Sequence, residues 1–422
     1  MQIGVYGTGY LATVIAACLA DFGTPVMVFD EDSARVMALA DGEIPFYERN
    51  LKDIVRRNLR TGRLCCSTEL GSFARRSPLI YFAADNHRYL EEIAVMLAGE
   101  ADPSATLVIG TPVPVGTARR VEQRLKSAGH KMTVVSQPLF LTDGCAIEDF
   151  NWPDRIVLGT DSNQAVAVLK QLYRPLVMRG VPVIVTNHET AELVREASTA
   201  FVATKISFIN ELASLCEHVN ADAVDLAMAL GLDKKISPRC LQPGAGFGGP
   251  FVEADMDSLA QLAAASSVQL KILSAAREVN RSHSDRVIEK LSRLMQPVAG
   301  KEVGLLGLSY KPNTSSVAAS SSIELTRRLL AHGARVRAYD PAALTEAKAE
   351  LNGTVLYCES PYDAAQGADA LVVSTAWPEF RSLDFGRIRS LVRTPVIVDT
   401  KNLLDAASLR GMGFQYVGIG RA

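Results

Sequence analysis

Paired cysteines are absent from this 422-residue sequence. Its seven cysteines, Cys18, Cys65, Cys66, Cys145, Cys216, Cys240 and Cys358, form no C-x-x-C pair and no paired ligand spacing. A disulfide-stapled secreted scaffold is excluded, and free thiols in a reducing compartment are expected. Histidine is scarce, with six dispersed residues, so no metal site is expected. An excess of either charge is also lacking, with 44 basic against 46 acidic residues and a net charge of -2. No basic stripe with interleaved aromatics appears, so nucleic acid is not an expected partner. No uninterrupted apolar run is long enough to span a membrane. The opening "MQIGVYGTGY" enters a strand pattern directly, without the charged and apolar regions of a secretory signal. The expectation is a soluble cytoplasmic protein without a membrane partner.

What is present is periodic. Hydrophobic residues make up 48% of a chain too long for one ordinary core, so two or three domains are expected. "QIGVYG", "PVMVFD", "LIYFAA", "TLVIGT", "MTVVSQP", "RIVLGT" and "VPVIVT" read as strands, with helical stretches between them. That alternation predicts a doubly wound, mostly parallel sheet over residues 1–190. "HETAELVREASTAFVATKISFINELASLCEHVN" has almost no breaker and predicts one long helix, of the kind that forms a spine or a dimer seam. It opens a helical middle over 191–298. From 299 to 422 the alternation returns, in "KEVGLLGLSY", "RVRAYDP", "ADALVVST" and "PVIVDTK". The predicted fold is α/β, with two doubly wound Rossmann-like domains flanking a central helical region.

"GTGYLA" follows the first strand directly. Gly7 permits a tight turn, Gly9 lets the backbone approach a pyrophosphate, and the helix N-terminus beyond them favours an anion. Asp30 closes the second strand at the distance that suits a ribose 2′-hydroxyl, which selects NAD over NADP. Tyr10, Leu11 and Arg35 complete the candidate cofactor residues. The alternative is a tight turn in a domain without its ligand. In the last domain Gly304 and Gly307 lack the G-x-G spacing, so a second NAD site is not expected there.

Seven stretches carry a wider likeness: "GTGYLA", "GEIPFYE", "PVPVGT", "AIEDFNWPDRIVLG", "TAELVREASTAFVATKISFINE", "GLSYKPNT" and "VRAYDP". In order and spacing the chain resembles the UDP-glucose/GDP-mannose dehydrogenases, most of all the UDP-glucose 6-dehydrogenase branch. The resemblance implies an N-terminal NAD domain, a central helical region that makes a homodimer, and a C-terminal domain that holds a UDP-sugar. It implies two successive oxidations of a sugar C6 alcohol to a carboxylate. A cysteine captures the intermediate aldehyde, a lysine and an ordered water steady the oxyanion, and a carboxylate serves the water steps.

Against the family pattern G-F/Y-G-G-x-C-x-P-K-D, this chain reads Gly246, Phe247, Gly248, Gly249, Pro250, Phe251, Val252, Glu253, Ala254, Asp255. The nucleophile position is Phe251, and the lysine position is Ala254. The glutamate of the family's N-P-E-F-L segment is Leu139, and the threonine before "VPVGT" is Pro112. A G-T-P loop on the cofactor side reads Asp85, Asn86, His87, and D-D-V-R-E reads Ser315, Ser316, Val317, Ala318, Ala319. Several positions are kept. By the resemblance, Lys205 and Asn210 correspond to residues that face the sugar and the catalytic water. Asp255 stands at the family's aspartate, and Asp143 replaces a glutamate. Lys311 matches a substrate-contacting lysine, Lys401 stands where the family usually carries an arginine that contacts the nucleotide sugar, and both join Phe247 and Gly248 as expected substrate contacts. Cys240 and Cys145 read as small packing residues rather than substitute nucleophiles. Three expectations stay open: a working dehydrogenase; a degenerate binder of NAD, a UDP-sugar or both, as a homodimer or as a heteromer with an active paralogue; and an enzyme that stops after one hydride transfer.

Overall fold

A computed structural model describes residues 1–295, 297–351 and 355–421, without the side chains of 283 and 284. The chain divides into two compact units, Met1–Ala197 and Ser198–Ala422.

The first unit holds eight strands: β1 (Ile3–Tyr6), β2 (Val26–Phe29), β3 (Leu64–Ser67), β4 (Leu79–Phe82), β5 (Thr106–Ile109), β6 (Thr133–Ser136), β7 (Ile156–Gly159) and β8 (Val183–Thr186). Their order is β3-β2-β1-β4-β5-β6-β7-β8. The pairing is parallel except between β6 and β7, which meet antiparallel at Ser136 and Gly159. The central strands are apolar on both sides because helices cover both faces. Val5, Val28, Tyr81 and Val108 pack into one layer. Their neighbours Tyr6, Met27, Ile80 and Leu107 pack into the other. Burying both faces leaves the strand ends, where the turns emerge, as the place for ligands.

The second unit holds β9 (Glu302–Leu306), β10 (Arg335–Tyr339), β11 (Leu356–Tyr357), β12 (Ala370–Val373), β13 (Val396–Asp399) and β14 (Gln415–Gly418). They form one parallel sheet in the order β11-β10-β9-β12-β13-β14. The break expected at residue 298 is not a break in packing. Ala213, Cys216, Val287 and Leu291 of the helical middle share one core with Val303, Leu305 and Val336 of this sheet. The long helix spans His188–Val219, 32 residues, so it begins before residue 197 and ends well beyond it. No helix of the described residues is long and apolar enough to cross a membrane.

Candidate functional site

In the first unit the chain leaves β1 through Gly7 at φ 120°. A side chain there would be strained, and its Cβ would press on Ala83 O and Ala84 at 3.0 Å. Gly9 then caps the first helix, Tyr10–Asp21, without any side-chain cap. The amides of that helix start are therefore available to an anion. Asp30, at the end of β2, accepts from Thr8 Oγ1 at 2.7 Å and from the Asp32 amide at 3.0 Å. These bonds fix the carboxylate beside the turn and leave it lone pairs for a ribose hydroxyl. Arg35 lies 3.5 Å from Asp32 and 4.0 Å from Asp85. Tyr10 donates to Glu48 Oε2 at 2.5 Å and accepts from the Gly144 amide at 3.1 Å. Burial and Glu48 push its phenol well above the ordinary range. Leu11 packs half-buried against the first core. A cavity of about 730 Å³ is lined by Thr8, Gly9, Tyr10, Arg35, Phe46 and Asp85, among others. Turn, free helix start, placed carboxylate and cavity together fit a dinucleotide, whereas Glu43 and Asp85 bring further negative charge to the cavity lining.

The second unit gathers the other candidates around residues 244–255. The glycines there are required by packing. A Cβ on Gly249, at φ 104°, would strike the Tyr310 ring at 2.6 Å. One on Gly248 would overlap Ala319 O, and one on Gly244 would meet Thr400 O at 3.2 Å and Lys401 Cδ at 3.7 Å. The loop is thus pressed against the segments that carry Lys311 and Lys401. Asn280 clamps it, accepting from Phe247 N at 2.9 Å and donating to Phe247 O at 3.0 Å. The Phe247 side chain is buried in an apolar cluster with Ala203, Met256 and Leu273, leaving little of it to meet a sugar.

Lys205 neither projects into solvent nor stands alone in a pocket. Its Nζ donates to Ile236 O at 2.9 Å, Ser237 O at 3.2 Å and Arg239 O at 2.7 Å. Asn210 accepts from the Gly244 amide at 2.8 Å through Oδ1, while its buried Nδ2 has no hydrogen-bond partner. Asp255 is buried and accepts from Thr199 Oγ1 at 2.8 Å. Phe251 is the second residue of the helix Pro250–Ala265 and is half-buried. Lys311 Nζ lies 5.7 Å from the centre of the Tyr310 ring. Burial lowers the Lys401 pKa to about 8, with Asp399 opposing. In the first unit Leu139 packs against the core. The expectation that Cys240 and Cys145 are packing residues is overturned, because both are exposed. Cys240 sits at φ 58° in a loop rather than in a core. Among the described residues no group of three or more His, Cys, Asp or Glu is placed to hold a metal.

Asn280, Tyr310 and Thr199 were not foreseen. Thr199 and Tyr310 lie within stretches that carry the family likeness, but their contacts are with residues distant in sequence, as are those of Asn280.

Comparison with known proteins completes the picture. Residues 1–177 match the NAD binding domain of the UDP-glucose/GDP-mannose dehydrogenase family, 189–282 its central domain and 304–406 its UDP binding domain. The chain belongs to this family. It is 35% identical to the UDP-glucose 6-dehydrogenase TuaD of Bacillus subtilis, over all of this chain and 93% of the relative. It is 36% identical to the UDP-glucose 6-dehydrogenase of Rhizobium meliloti over the whole of both chains. A solved UDP-glucose dehydrogenase from Pyrobaculum islandicum has the same fold, with a TM-score of 0.90 and 30% identity, over 100% of this chain and 98% of that one. The family's cofactor is NAD, and its domain for it contains the Gly7–Gly9 turn.

Proposed function

We propose that this chain binds NAD at the Gly7–Gly9 turn and a UDP-sugar at the 244–255 loop, and that it does not complete the oxidation of the sugar to a carboxylate. The observation that carries this is Phe251. It stands at the nucleophile position that the family likeness implies, in the first turn after Gly249. Its side chain has no atom that can add to an aldehyde. Without that bond the aldehyde has no route to a thioester, and the second oxidation lacks its substrate. Leu139 likewise has no proton to give or take, and Lys205 already serves three carbonyls. Groups that work as a unit fail together.

NAD supplies a hydride acceptor. This chain's residues orient what is bound. Asp30 holds a ribose hydroxyl, the Asn210 Nδ2 group donates to the sugar or a water, and Lys311 and Lys401 face the diphosphate. The names of the relatives point to UDP-glucose as the sugar nucleotide. A second reading is favoured by the unmet Asn210 donor and the buried Asp255: one hydride transfer that ends at the aldehyde, for which no thiol is needed.

Phe201, Phe208 and Leu215 are exposed on the long helix at intervals of seven residues. Such spacing puts them on one face, the pattern of a helix seam. It supports a homodimer, and the same face would serve a heteromer with an active paralogue. Light scattering of the purified chain distinguishes dimer from monomer.

The deciding experiment measures NADH formed from UDP-glucose and NAD, with products identified by mass, alongside binding of each ligand. Saturable binding without NADH supports the proposal. One NADH per sugar and an aldehyde product establish the second reading. Two NADH per sugar overturn the argument from Phe251.

A further inference from the structure

The loop after β4 brings an anion to the dinucleotide turn. A methyl group on Gly9 would overlap the Asp85 carboxylate, so that carboxylate lies directly against the Gly9 backbone. In the proposed NAD site, a diphosphate would approach the turn beside this same backbone. The start of the first helix has no side-chain cap, and its partial positive charge attracts whichever anion is nearest. Asp85 also lies 4.0 Å from Arg35, which is held at 3.5 Å by Asp32 as well. Among the described residues lining the cavity, Arg35 is the only lysine or arginine. Its charge is therefore shared between two carboxylates before any ligand arrives. Burial pushes the Asp85 carboxyl up, with Arg35 opposing and Asp30 adding a smaller upward push.

We propose that Asp85 is an internal anion that competes with the diphosphate of NAD for the Gly7–Gly9 turn and for Arg35, so that it sets the affinity for the cofactor. The inference rests on the proposed NAD site. The Asp85 side chain is 61% exposed, which leaves it room to turn outward when a dinucleotide enters. Binding then carries the penalty of displacing one anion with another. A ligand that fills the adenosine part of the cleft without phosphates meets no such penalty.

The test is calorimetric binding of NAD and of adenosine to the full chain and to Asp85→Asn, at low ionic strength and at high ionic strength. Asp85→Asn removes the charge and keeps the size. NAD is expected to bind Asp85→Asn about fivefold more tightly at low salt, a modest factor because the carboxylate is partly solvated. That gain is expected to shrink at high salt, as screening weakens the repulsion. Adenosine should bind both proteins alike. Equal or weaker NAD binding by Asp85→Asn overturns the proposal while leaving the NAD site intact. A gain that ignores salt and extends to adenosine also overturns it, since it reports a change of shape. Absence of NAD binding by either protein overturns the NAD reading and this proposal with it.

Discussion

Replacing Lys205 with methionine separates the two roles open to this residue. Its ammonium donates to three carbonyl oxygens, of Ile236, Ser237 and Arg239. The backbone it holds is awkward, with Ser237 at φ 65° and Cys240 at φ 58°. Left-handed backbone at residues with a Cβ costs on the order of 1 kcal/mol each. A hydrogen bond from a charged donor contributes about 1.5–3 kcal/mol. The three bonds share one half-exposed charge and do not add fully, so about 3 kcal/mol of local stability is a reasonable sum. Each 1.4 kcal/mol is a factor of about ten in an equilibrium constant, so Lys205→Met should raise the population of the locally open state about a hundredfold. Hydrogen exchange reads this directly. The amides of Ile236 and Ser237 both donate to Asp233 O and should lose protection. The Phe247 amide, held by Asn280, serves as the internal reference. Unchanged protection at Ile236 and Ser237, with ligand binding lost, would refute the loop-holding role and return Lys205 to the ligand.

Two further outcomes follow from buried polar groups. Lys401 falls from 10.5 to about 8 on folding. Between those values the unfolded chain holds more protons than the native one, so stability should rise as pH climbs from about 8 to about 10. Urea unfolding across that range checks it, and Lys401→Met should flatten the rise; its residual solvent access limits the effect to about 1–2 kcal/mol. In the first unit, Tyr173 Oη accepts from Gln137 Nε2 at 2.8 Å and lies 2.9 Å from Tyr81 Oη, all three residues being buried. Tyr173→Phe leaves the Gln137 amide without that acceptor and should lower stability by about 1–3 kcal/mol, read as a lower urea midpoint at constant slope.

Strand alternation made both sheets legible in the sequence, because apolar runs such as "IGVY" and "LIYF" are buried on both faces and have no polar residues to blur them. The long helix was legible for the same reason of pattern. The antiparallel step between β6 and β7 was not, since it depends on where the chain crosses rather than on residue type. The Gly7–Gly9 turn was readable because its chemistry is local. The lysine at 205 was readable as a residue but not as an interaction, because its three acceptors lie more than thirty residues away in a loop. The exposure of Cys145 and Cys240 is not legible, because an apolar or small-residue position in a family pattern does not say whether the side chain faces a core or solvent. Asp85 was visible as a charge, whereas its position against Gly9 exists only in three dimensions.

The close seating of Gly248 and Gly249 on Ala319 and Tyr310 bears on how such signatures are interpreted. These glycines answer to architecture before they answer to reactivity. A chain that lost its nucleophile would still be held to them, because any larger residue would lift the loop off its neighbours. A glycine signature can in this way outlive the reaction with which it is associated, and its presence is testimony about shape rather than about turnover.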